Sequence, residues 1–324
     1  MAAQESFTVA PGVSNDAPFA IAIMGPTATG KTGLAIELIK HLPCEIISVD
    51  STLVYRGMNI GSAKPTAEEL AVAPHHLIDI REPQQTYSAA DFRHDCLALM
   101  NDITSRGKIP LLVGGTMLYY KALQEGLSPL PSADQVVRKK LEAEALNLGR
   151  DAMHDRLMQV DPVAAERIHK NDPQRIQRAL EIYEITGRPM SALWAEQESE
   201  KLNYQLIKIV LFPQDRSVLH QRIETRFKKM LEQGFLQEVE DLKKYNDVSL
   251  DLSSMRSVGY RQALEYLEGQ YDYPEMIDRG VFATRQLAKR QITWLRKEQN
   301  ANFYDPDTLK KEELLQNLKY SLSL

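Results

Sequence analysis

Cysteine is scarce in this chain of 324 residues, and long apolar runs are absent from its sequence. Only two cysteines occur, Cys44 and Cys96, and neither belongs to a C-x-x-C pair. Two thiols exclude a disulfide framework and a cysteine-rich zinc site, so we expect both to be small core residues. No apolar run is long enough to span a bilayer, and the start of the chain lacks the basic and apolar segments of a signal peptide. We therefore expect a cytoplasmic protein with no membrane contact.

An excess of positive charge is also missing. The chain has 39 Lys and Arg against 44 Asp and Glu, which gives a formal net charge of -5. Nucleic-acid-binding domains usually run basic, so a nucleic-acid partner would require a local basic patch. The composition, 43% hydrophobic and 26% charged, is that of an ordinary globular protein. The length predicts a main domain and a second lobe rather than one core.

Short apolar runs predict the strands of a parallel sheet. Phe19–Met24, Glu45–Val49, Ile109–Val113 and Leu206–Leu211 are such runs, and the first two enclose a helical pattern at Lys31–Lys40. Strand, helix and strand at these lengths are typical of a βαβ unit. The sequence therefore predicts an α/β fold.

A phosphate-binding loop follows the first predicted strand. The pattern G-x-x-x-x-G-K-[ST] is matched by Gly25, Pro26, Thr27, Ala28, Thr29, Gly30, Lys31 and Thr32. In such a loop, backbone amides at the helix start surround a phosphate, the lysine adds a positive charge and the threonine hydroxyl can bind Mg²⁺. A plain strand-to-helix turn is the alternative. We predict that the loop binds a di- or triphosphate group, with Thr32 as a Mg²⁺ ligand.

The carboxylate that usually holds magnesium is missing from its expected place. An ordinary P-loop NTPase carries an Asp at the end of a further apolar strand, but Ile109–Val113 is followed by Gly114, Gly115 and Thr116. Asp50 instead ends the second predicted strand. Ligands of open α/β sheets bind at the carboxyl ends of the strands, so Asp50 should face the phosphate group. It can act there as a metal ligand or as a general base, or it can merely cap a helix.

The pattern changes to successive helices in the middle of the chain. Helix start signals there are two Asp-Pro pairs and one Ser-x-x-Gln capping box, and two glycines are typical helix ends. These signals lie at Ser132–Gln135, Asp161-Pro162 and Asp172-Pro173, and at Gly149 and Gly187. The predicted fold is therefore a P-loop NTPase-like parallel sheet core with an all-helical insertion domain. Its predicted parts are a disordered tail at 1–17, the core at 18–125 and 203–305, the insertion at 126–202, and a tail or helix at 306–324.

Two basic segments can overcome the acidic net charge locally. Arg285, Lys289 and Arg296 share one stripe of a predicted helix, which suits an RNA backbone, although a solvated basic face is the alternative. Arg175 and Arg178 lie in the first turn of another predicted helix, where backbone amides also point outward. Both segments are therefore candidate sites for nucleic-acid phosphates.

Several segments, in order along the chain, carry a family resemblance that a P-loop alone would not. They are Gly25–Thr32, Asp50–Pro65, His75–Asp79, Tyr87–Phe92, Gly114–Tyr119, Asp172–Glu181, Arg256–Arg261 and Thr284–Arg296. Together they closely resemble the tRNA dimethylallyltransferase (tRNA isopentenyltransferase) family. Leu53, Thr29 and Ser62 stand where the family commonly has Gln, Ser and Thr. The zinc finger of eukaryotic members is absent, as in bacterial-type members.

The resemblance implies a reaction. The dimethylallyl group of dimethylallyl diphosphate passes to the N6 amine of adenosine 37, next to the tRNA anticodon, and diphosphate is released. Asp50 matches the general base of the family, which accepts the proton of a poorly nucleophilic amine. Donors aimed at the departing diphosphate lower the barrier. The groups expected there are Lys31, Thr27, Thr32 with Mg²⁺, and Arg222 or, one turn along the same helix, Arg226.

The resemblance also implies a tRNA partner and its contact residues. These are Asp50, Ser51, Thr52, Leu53, Thr116, Arg138, Gln174, Arg175, Ile176, Gln177, Arg178, Arg256, Arg261, Arg285, Lys289 and Arg290. Turn capping is the alternative role of Thr116. We expect a monomer. A P-loop kinase of a small metabolite and a non-catalytic RNA-binding ATPase are the alternative functions, and the missing strand-end Asp and the basic C-terminal helix favour the transferase.

Overall fold

The computed structural model describes residues 7, 14, 16–128, 130–196, 202–244 and 248–324. The predicted tail at 1–17 therefore lies almost entirely outside the described residues. The chain divides into two compact units, Met1–Gln124 with Leu202–Leu324, and Glu125–Lys201. The first unit is an α/β domain, and the second, which the sequence had predicted at 126–202, is helical.

Six strands form one sheet in the first unit. They are β1 (Phe19–Met24), β2 (Cys44–Val49), β3 (His75–His76), β4 (Ile109–Gly114), β5 (Gln205–Leu211) and β6 (Ala301–Tyr304). Their spatial order is β3-β2-β4-β1-β5-β6, and every pair of neighbours is parallel. The predicted α/β class with a P-loop NTPase-like parallel sheet is confirmed.

Four of these strands follow the predicted runs to within one residue at each end, and two were missed. β3 has two residues, too few to produce any periodicity. β6 has the sequence Ala-Asn-Phe-Tyr and one exposed position, so it lacks the apolar run of a central strand. It lies at the edge of the sheet, where pairing on one side is enough.

Both faces of the sheet are covered, as an all-parallel sheet requires. Alternate residues of β1 show this, because Ala20, Ala22 and Met24 pack in one hydrophobic cluster while Ile21 and Ile23 pack in another. Successive side chains of a strand point to opposite faces, so the two clusters are the two sides of one layer. Cys96 is buried in the first cluster, as expected, and Cys44 is only partly buried.

Within the described ranges, nine helices begin in the first unit. They are α1 (Lys31–Ile39), α2 (Ala67–Val72), α3 (Ala89–Ser105), α4 (Met117–Glu125), α10 (Arg216–Glu232), α11 (Phe235–Lys243), α12 (Tyr260–Leu267), α13 (Tyr273–Leu295) and α14 (Lys311–Ser321). α1 and α14 cover one face of the sheet, through residues such as Leu38 and Leu318. α3, α4 and α10 to α13 contribute to the cluster on the other face. None of the helices in the described ranges combines the length and the apolar character needed to cross a bilayer.

The helical stretch predicted from Val218 to Tyr245 is broken into two helices. The break falls at Gly234, whose φ of 97° lies in the left-handed region that glycine adopts at little cost. Tyr245 itself lies outside the described residues. The helix predicted at Tyr273–Lys297 is confirmed as α13.

The described part of the second unit contains five helices. They are α5 (Gln135–Leu148), α6 (Arg150–Val160), α7 (Pro162–Arg167), α8 (Pro173–Thr186) and α9 (Met190–Ala195). No strand occurs in this unit at 125–128 or 130–196, the ranges that are described. Residues such as Leu141, Leu157 and Leu180 form its own hydrophobic core.

The predicted helix ends of the second unit are confirmed with one exception. Asp161 caps α7 and Asp172 caps α8, in each case before a proline at the first helical position. Gly149 and Gly187 follow the ends of α5 and α8. The capping box at Ser132–Gln135 was wrong, because Asp134 is the cap of α5 and its Oδ1 accepts from the amides of Val136 and Val137. The N-cap position of α5 is thus occupied by Asp134, whose carboxylate reaches the amides two and three residues further on, so the Ser132 hydroxyl does not cap this helix.

The packing of α13 against α10 generates a test of the fold. A Cβ added at Gly280 on α13 would lie 2.2 Å from the ring of Phe227 on α10, whereas a Cβ at Gly33 on α1 would meet nothing within 4 Å. We expect Gly280→Ala to lower the free energy of unfolding by about 1–3 kcal/mol through overpacking. Gly33→Ala is the matched control and should cause no loss, since alanine favours helices more than glycine does. Urea denaturation measures both, and equal stabilities would contradict the close packing.

Candidate active site

The predicted phosphate loop joins β1 to α1 as the sequence indicated. Ala28 and Gly30 both have left-handed backbones, with φ of 65° and 81°. Alternation of this kind turns successive amides toward one concave side, which is how a backbone binds anions. The loop is also tightly held, because the Thr29 hydroxyl donates to the Pro26 carbonyl at 2.8 Å. Gly25 has no room for a side chain, since a Cβ would lie 2.9 Å from the Leu211 carbonyl oxygen.

The lysine of the loop is half-buried. Lys31 Nζ donates to the Pro26 carbonyl oxygen at 2.7 Å. Partial burial lowers the pKa of Lys31 from 10.5 to about 8; the nearby charge of Arg226 lowers it further, and the charge of Asp50 acts in the opposite direction. Loss of water disfavours the ammonium form, and an anion beside it would favour that form again. The lysine is therefore a half-buried cation that a bound phosphate would stabilise.

A second half-buried cation lines the same cleft. Arg226 projects from α10 into a cleft that also contains Lys31, Thr32 and Asp50. Burial lowers the pKa of Arg226, and the charge of Asp50 partly opposes that effect. An arginine keeps its charge in a protein, so its burial here indicates a site for a negative ligand.

Arg222, the other arginine considered for the diphosphate, occupies a different place. Its guanidinium forms an ion pair with Asp307. It lines a separate cavity beside the P-loop, together with Ala28, Gly30 and Pro306. Arg222 and Arg226 lie on one helix, so the spacing in the sequence did not distinguish them, and the tertiary structure brings only Arg226 to Lys31 and Asp50 in this cleft.

The carboxylate of Asp50 lies at the end of β2 and lines the cleft. Its Oδ1 accepts from the amides of Thr52 at 2.8 Å and Leu53 at 3.3 Å. These bonds form a turn of the type that Asp favours, and they fix the orientation of the carboxylate. The capping role considered from the sequence is thus real, but it caps a turn and uses one oxygen of the two. Thr52 and Leu53 line the cleft beside it.

The end of β4 is tied to the end of β2. Thr116 donates its amide to the Val49 carbonyl at 3.2 Å, and its hydroxyl accepts from the Ser51 amide at 3.1 Å. Only glycine fits at position 114, two residues before Thr116, because a Cβ there would lie 2.0 Å from the Val49 carbonyl oxygen. Thr116 therefore ties the end of β4 to the two residues that flank Asp50. This agrees with its alternative role in turn capping.

Two further polar residues of the site were missed by the sequence reasoning. Gln291 on α13 lines the cleft, and its Oε1 accepts from the Thr27 amide at 3.0 Å. A polar residue on the apolar stripe of Ala288, Ile292 and Leu295 was the available signal. Glu238 on α11 had no local signal, because its backbone partners lie more than 170 positions away in the chain.

Glu238 holds the loop that forms another wall of the cleft. Its carboxylate accepts from the amides of Asn59, Ile60 and Gly61 at 2.7–3.1 Å, and from the hydroxyl of Tyr260 at 2.6 Å. This single carboxylate therefore satisfies three backbone donors and one hydroxyl at once. The loop then presents Gly61, Ser62 and Ala63 to the cleft, which has a volume of about 190 Å³.

The polar groups of the cleft fit a magnesium ion that is shared with a phosphate ligand. The Thr32 hydroxyl and the Asp50 carboxylate both line it and are hard oxygen donors. Magnesium is commonly held by one or two protein oxygens together with substrate phosphates and water. In the described part of the chain, no group of three or more His, Cys, Asp or Glu residues is placed to hold a metal by itself. The phosphate ligand would have to complete the coordination.

The predicted RNA contacts of the first unit lie mostly at its surface. Lys289 and Arg290 are exposed on α13. Arg285 is half-buried, and its Nη2 donates to Glu224 at 3.0 Å, so part of its charge is already neutralised. Arg256 and Arg261 are exposed, and their Nε atoms donate to the Leu250 carbonyl and to Glu265.

In the second unit, two predicted RNA contacts are engaged in an ion-pair network. Arg138 and Arg178 donate to Glu181, which is fully buried, at 2.9 and 2.6 Å. Burial alone would raise the pKa of Glu181, but the hydrogen bonds from Arg178 and Arg138 lower it overall. Removing either arginine would leave a buried carboxylate partly unpaired, which costs stability. These two side chains therefore have a structural role in the unit.

The remaining predicted contacts of this unit lie in the first turn of α8. Gln174 and Arg175 are exposed, and Gln177 is half-buried, donating to Glu142 at 3.1 Å. Ile176 is only 2% exposed and packs in the core of the unit. Helical periodicity turns the Ile176 side chain inward, so this side chain has a packing role, and an RNA contact of the residue stays a prediction.

Comparison with known proteins extends these observations. The sequence model of the family described as IPP transferase matches residues 53–298. The chain is similar to the crystal structure of the full-length tRNA isopentenylpyrophosphate transferase from Bacillus halodurans, with 39% identity, a TM-score of 0.68, and coverage of 94% of this chain and 97% of that one. It is similar to a tRNA delta(2)-isopentenylpyrophosphate transferase from Staphylococcus epidermidis, with 34% identity, a TM-score of 0.67, and coverage of 94% and 99%.

A third similar structure is that of a eukaryotic dimethylallyltransferase acting on tRNA. It has 29% identity and a TM-score of 0.77, and the likeness covers 92% of this chain and 78% of that one. The resemblance read from the P-loop, Asp50 and the later motifs is thereby confirmed. With a family match over residues 53–298 and similar structures along nearly its whole length, the chain belongs to the IPP transferase family.

Proposed function

We propose that this protein transfers the dimethylallyl group of dimethylallyl diphosphate to the N6 amine of adenosine 37 in tRNA and releases diphosphate. One observation carries the proposal. A single cleft holds two half-buried cations, Lys31 and Arg226, together with the carboxylate of Asp50. The cations can bind a diphosphate. The carboxylate can accept a proton from the amine that attacks the allylic carbon attached to that diphosphate.

The diphosphate end of the cleft is built to stabilise a leaving group. The bond between the allylic carbon and oxygen breaks in the reaction, and negative charge gathers on the departing diphosphate. Lys31 and Arg226 are positioned before the reaction and have little water around them, so they stabilise this charge more than ions in solution would. When bound to Thr32, Mg²⁺ supplies further positive charge to the phosphate oxygens.

The Asp50 end of the cleft accepts a proton. The N6 lone pair of adenine is delocalised into the ring, so the amine becomes a good nucleophile only if its proton can leave as the new bond forms. Asp50, held through Oδ1 by two backbone amides, accepts that proton. The adenine has to leave its base stack to reach a half-buried carboxylate inside the cleft. Exposed basic residues such as Lys289, Arg290 and Arg175 are our candidates for the tRNA backbone.

The cellular setting is part of the same proposal. We propose that the enzyme works in the cytoplasm, where its tRNA substrate is found. The monomer predicted from the sequence stays a prediction, and gel filtration with light scattering measures it.

A direct assay tests the function, with Asp50→Asn as the paired variant. Labelled dimethylallyl diphosphate and unmodified tRNA should give labelled tRNA with the natural protein. Asn retains an oxygen for the Thr52 and Leu53 amides but cannot take the proton, so the rate should fall by about 10² to 10⁴-fold. The affinity for tRNA, measured by filter binding, should stay the same. Phosphate transfer from ATP without labelling of tRNA would favour a kinase, and full activity of the variant would exclude Asp50 as the base.

The two arginines of α10 form a second test. Arg226→Gln removes a cation that faces the diphosphate, so it should raise the KM for dimethylallyl diphosphate and lower kcat. We expect kcat/KM to fall by about 10²-fold or more. Arg222→Gln removes an arginine that is paired with Asp307 and should change these constants far less. Steady-state kinetics of the two variants decides between them, and the opposite ranking would return the role to Arg222.

The pKa of Lys31 predicts a pH dependence. In the free enzyme the lysine loses its proton near pH 8, so kcat/KM for dimethylallyl diphosphate should fall as the pH rises above about 8. The unfolded chain keeps the same proton up to about pH 10.5, so the cost of the buried charge is present below pH 8 and fades between 8 and 10.5. Lys31→Met should therefore weaken substrate binding while making the ligand-free protein no less stable at neutral pH. A wild-type profile that stays flat through pH 8, or a strongly destabilised Met variant, would contradict this account.

A further inference from the structure

Gln291 is a buried amide whose two ends bind different parts of the active-site backbone. The side chain projects from α13, and the residue is 9% exposed. Its Oε1 accepts from the amide of Thr27 in the phosphate loop at 3.0 Å, and its Nε2 donates to the carbonyl of Gly115 at 2.9 Å. Gly115 directly follows β4. One side chain thus joins the start of the phosphate loop to the end of a neighbouring strand.

The connection continues from Gly115 to the carboxylate. The next residue, Thr116, binds the carbonyl of Val49 with its amide and the amide of Ser51 with its hydroxyl. Asp50 lies between these two residues in the chain. A continuous series of hydrogen bonds therefore runs from the diphosphate-binding loop, through Gln291, to the turn that carries the proposed base.

Glutamine is well matched to this position. A Cβ at Gly115 would lie 2.5 Å from Nε2, so the strand end leaves room for the amide and for little else. A buried amide is stable when both its donor and its acceptor are satisfied, which is the case here. Methionine would fill a similar space but would leave the Thr27 amide and the Gly115 carbonyl without these partners.

We propose that Gln291 is a positioning residue that holds the diphosphate-binding loop and the turn of Asp50 at a fixed separation. The inference deepens the proposed function and rests on it. The transfer needs the allylic carbon, held by its diphosphate, and the amine, held by Asp50, at near contact. A displacement of about 1 Å between such groups can cost about 10²-fold in rate.

The test compares three variants. Gln291→Met removes both hydrogen bonds at similar size. Gly115→Ala leaves Gln291 in place but pushes against its Nε2, so it disturbs the same link from the other side. Gln286→Met is the matched control, since Gln286 lies on the same helix and is half-buried. Each protein is checked for thermal stability, and its active fraction is measured by active-site titration.

Two measurements then separate positioning from folding. The single-turnover rate constant of prenyl transfer, with saturating tRNA and dimethylallyl diphosphate, should fall by about 10 to 10²-fold in Gln291→Met and Gly115→Ala. Their affinity for tRNA and the rate of Gln286→Met should not change. A purely structural role would lower the active fraction and leave the rate constant of the active molecules unchanged, and that result would overturn the proposal.

The second measurement does not depend on prenyl transfer. Binding of inorganic pyrophosphate with Mg²⁺, followed by calorimetry, should weaken about tenfold in Gln291→Met, because the loop that surrounds the phosphates is no longer held. If the natural protein transfers no prenyl group, the proposed function fails while pyrophosphate binding still reports on Gln291. Unchanged pyrophosphate affinity, together with an unchanged rate in a protein that does transfer, would sink the positioning role.

Discussion

Two half-buried cations, Lys31 and Arg226, share a single cleft with one carboxylate, and the excess of positive charge organises the site. Lys31 and Arg226 both have a lowered pKa because burial removes the water that would stabilise their charge. The negative charge of Asp50 opposes part of this lowering of the two pKa values. A structure keeps such groups together at a cost to its stability, and a bound anion offsets that cost. The phosphate loop is also suited to an anion. Its amides, the left-handed backbone at Ala28 and Gly30, and the helix start at Lys31 all favour a bound negative charge.

The rest of the first unit holds these charges in place through its backbone. Two backbone amides fix Asp50, and Thr116 ties the residues that flank it to the end of β4. Gln291 joins the end of β4 to the phosphate loop. On another wall, Glu238 gathers three amides of the loop at Asn59–Gly61. Backbone groups and buried polar side chains make stiffer supports than long exposed side chains do. Such stiffness suits a reaction in which two substrates meet at near contact.

How much of this was predictable depends on how local each signal is. The strand, phosphate loop and helix from Phe19 to Ile39 were predicted almost residue by residue, because apolar runs and the glycine pattern act over a few positions. β3 and β6 were missed because they are short and depend on neighbours in the sheet. The placement of Asp50 in the cleft was predictable, since strand ends of a parallel sheet meet at one edge. The family resemblance supplied roles for these residues but did not separate Arg222 from Arg226.

The sequence by itself determined the α/β class, the phosphate loop, four helix ends of the second unit and, through the ordered motifs, the family. The tertiary structure decided which arginine enters the cleft, that Arg138 and Arg178 pair with the buried Glu181, that Ile176 faces a core, and that Gln291 and Glu238 hold the site. The physical reason is the range of each interaction. Caps, turns and apolar periodicity are set by residues a few positions apart. The backbone partners of Gln291 and Glu238 lie more than 170 positions away in the chain and meet them only in the folded protein.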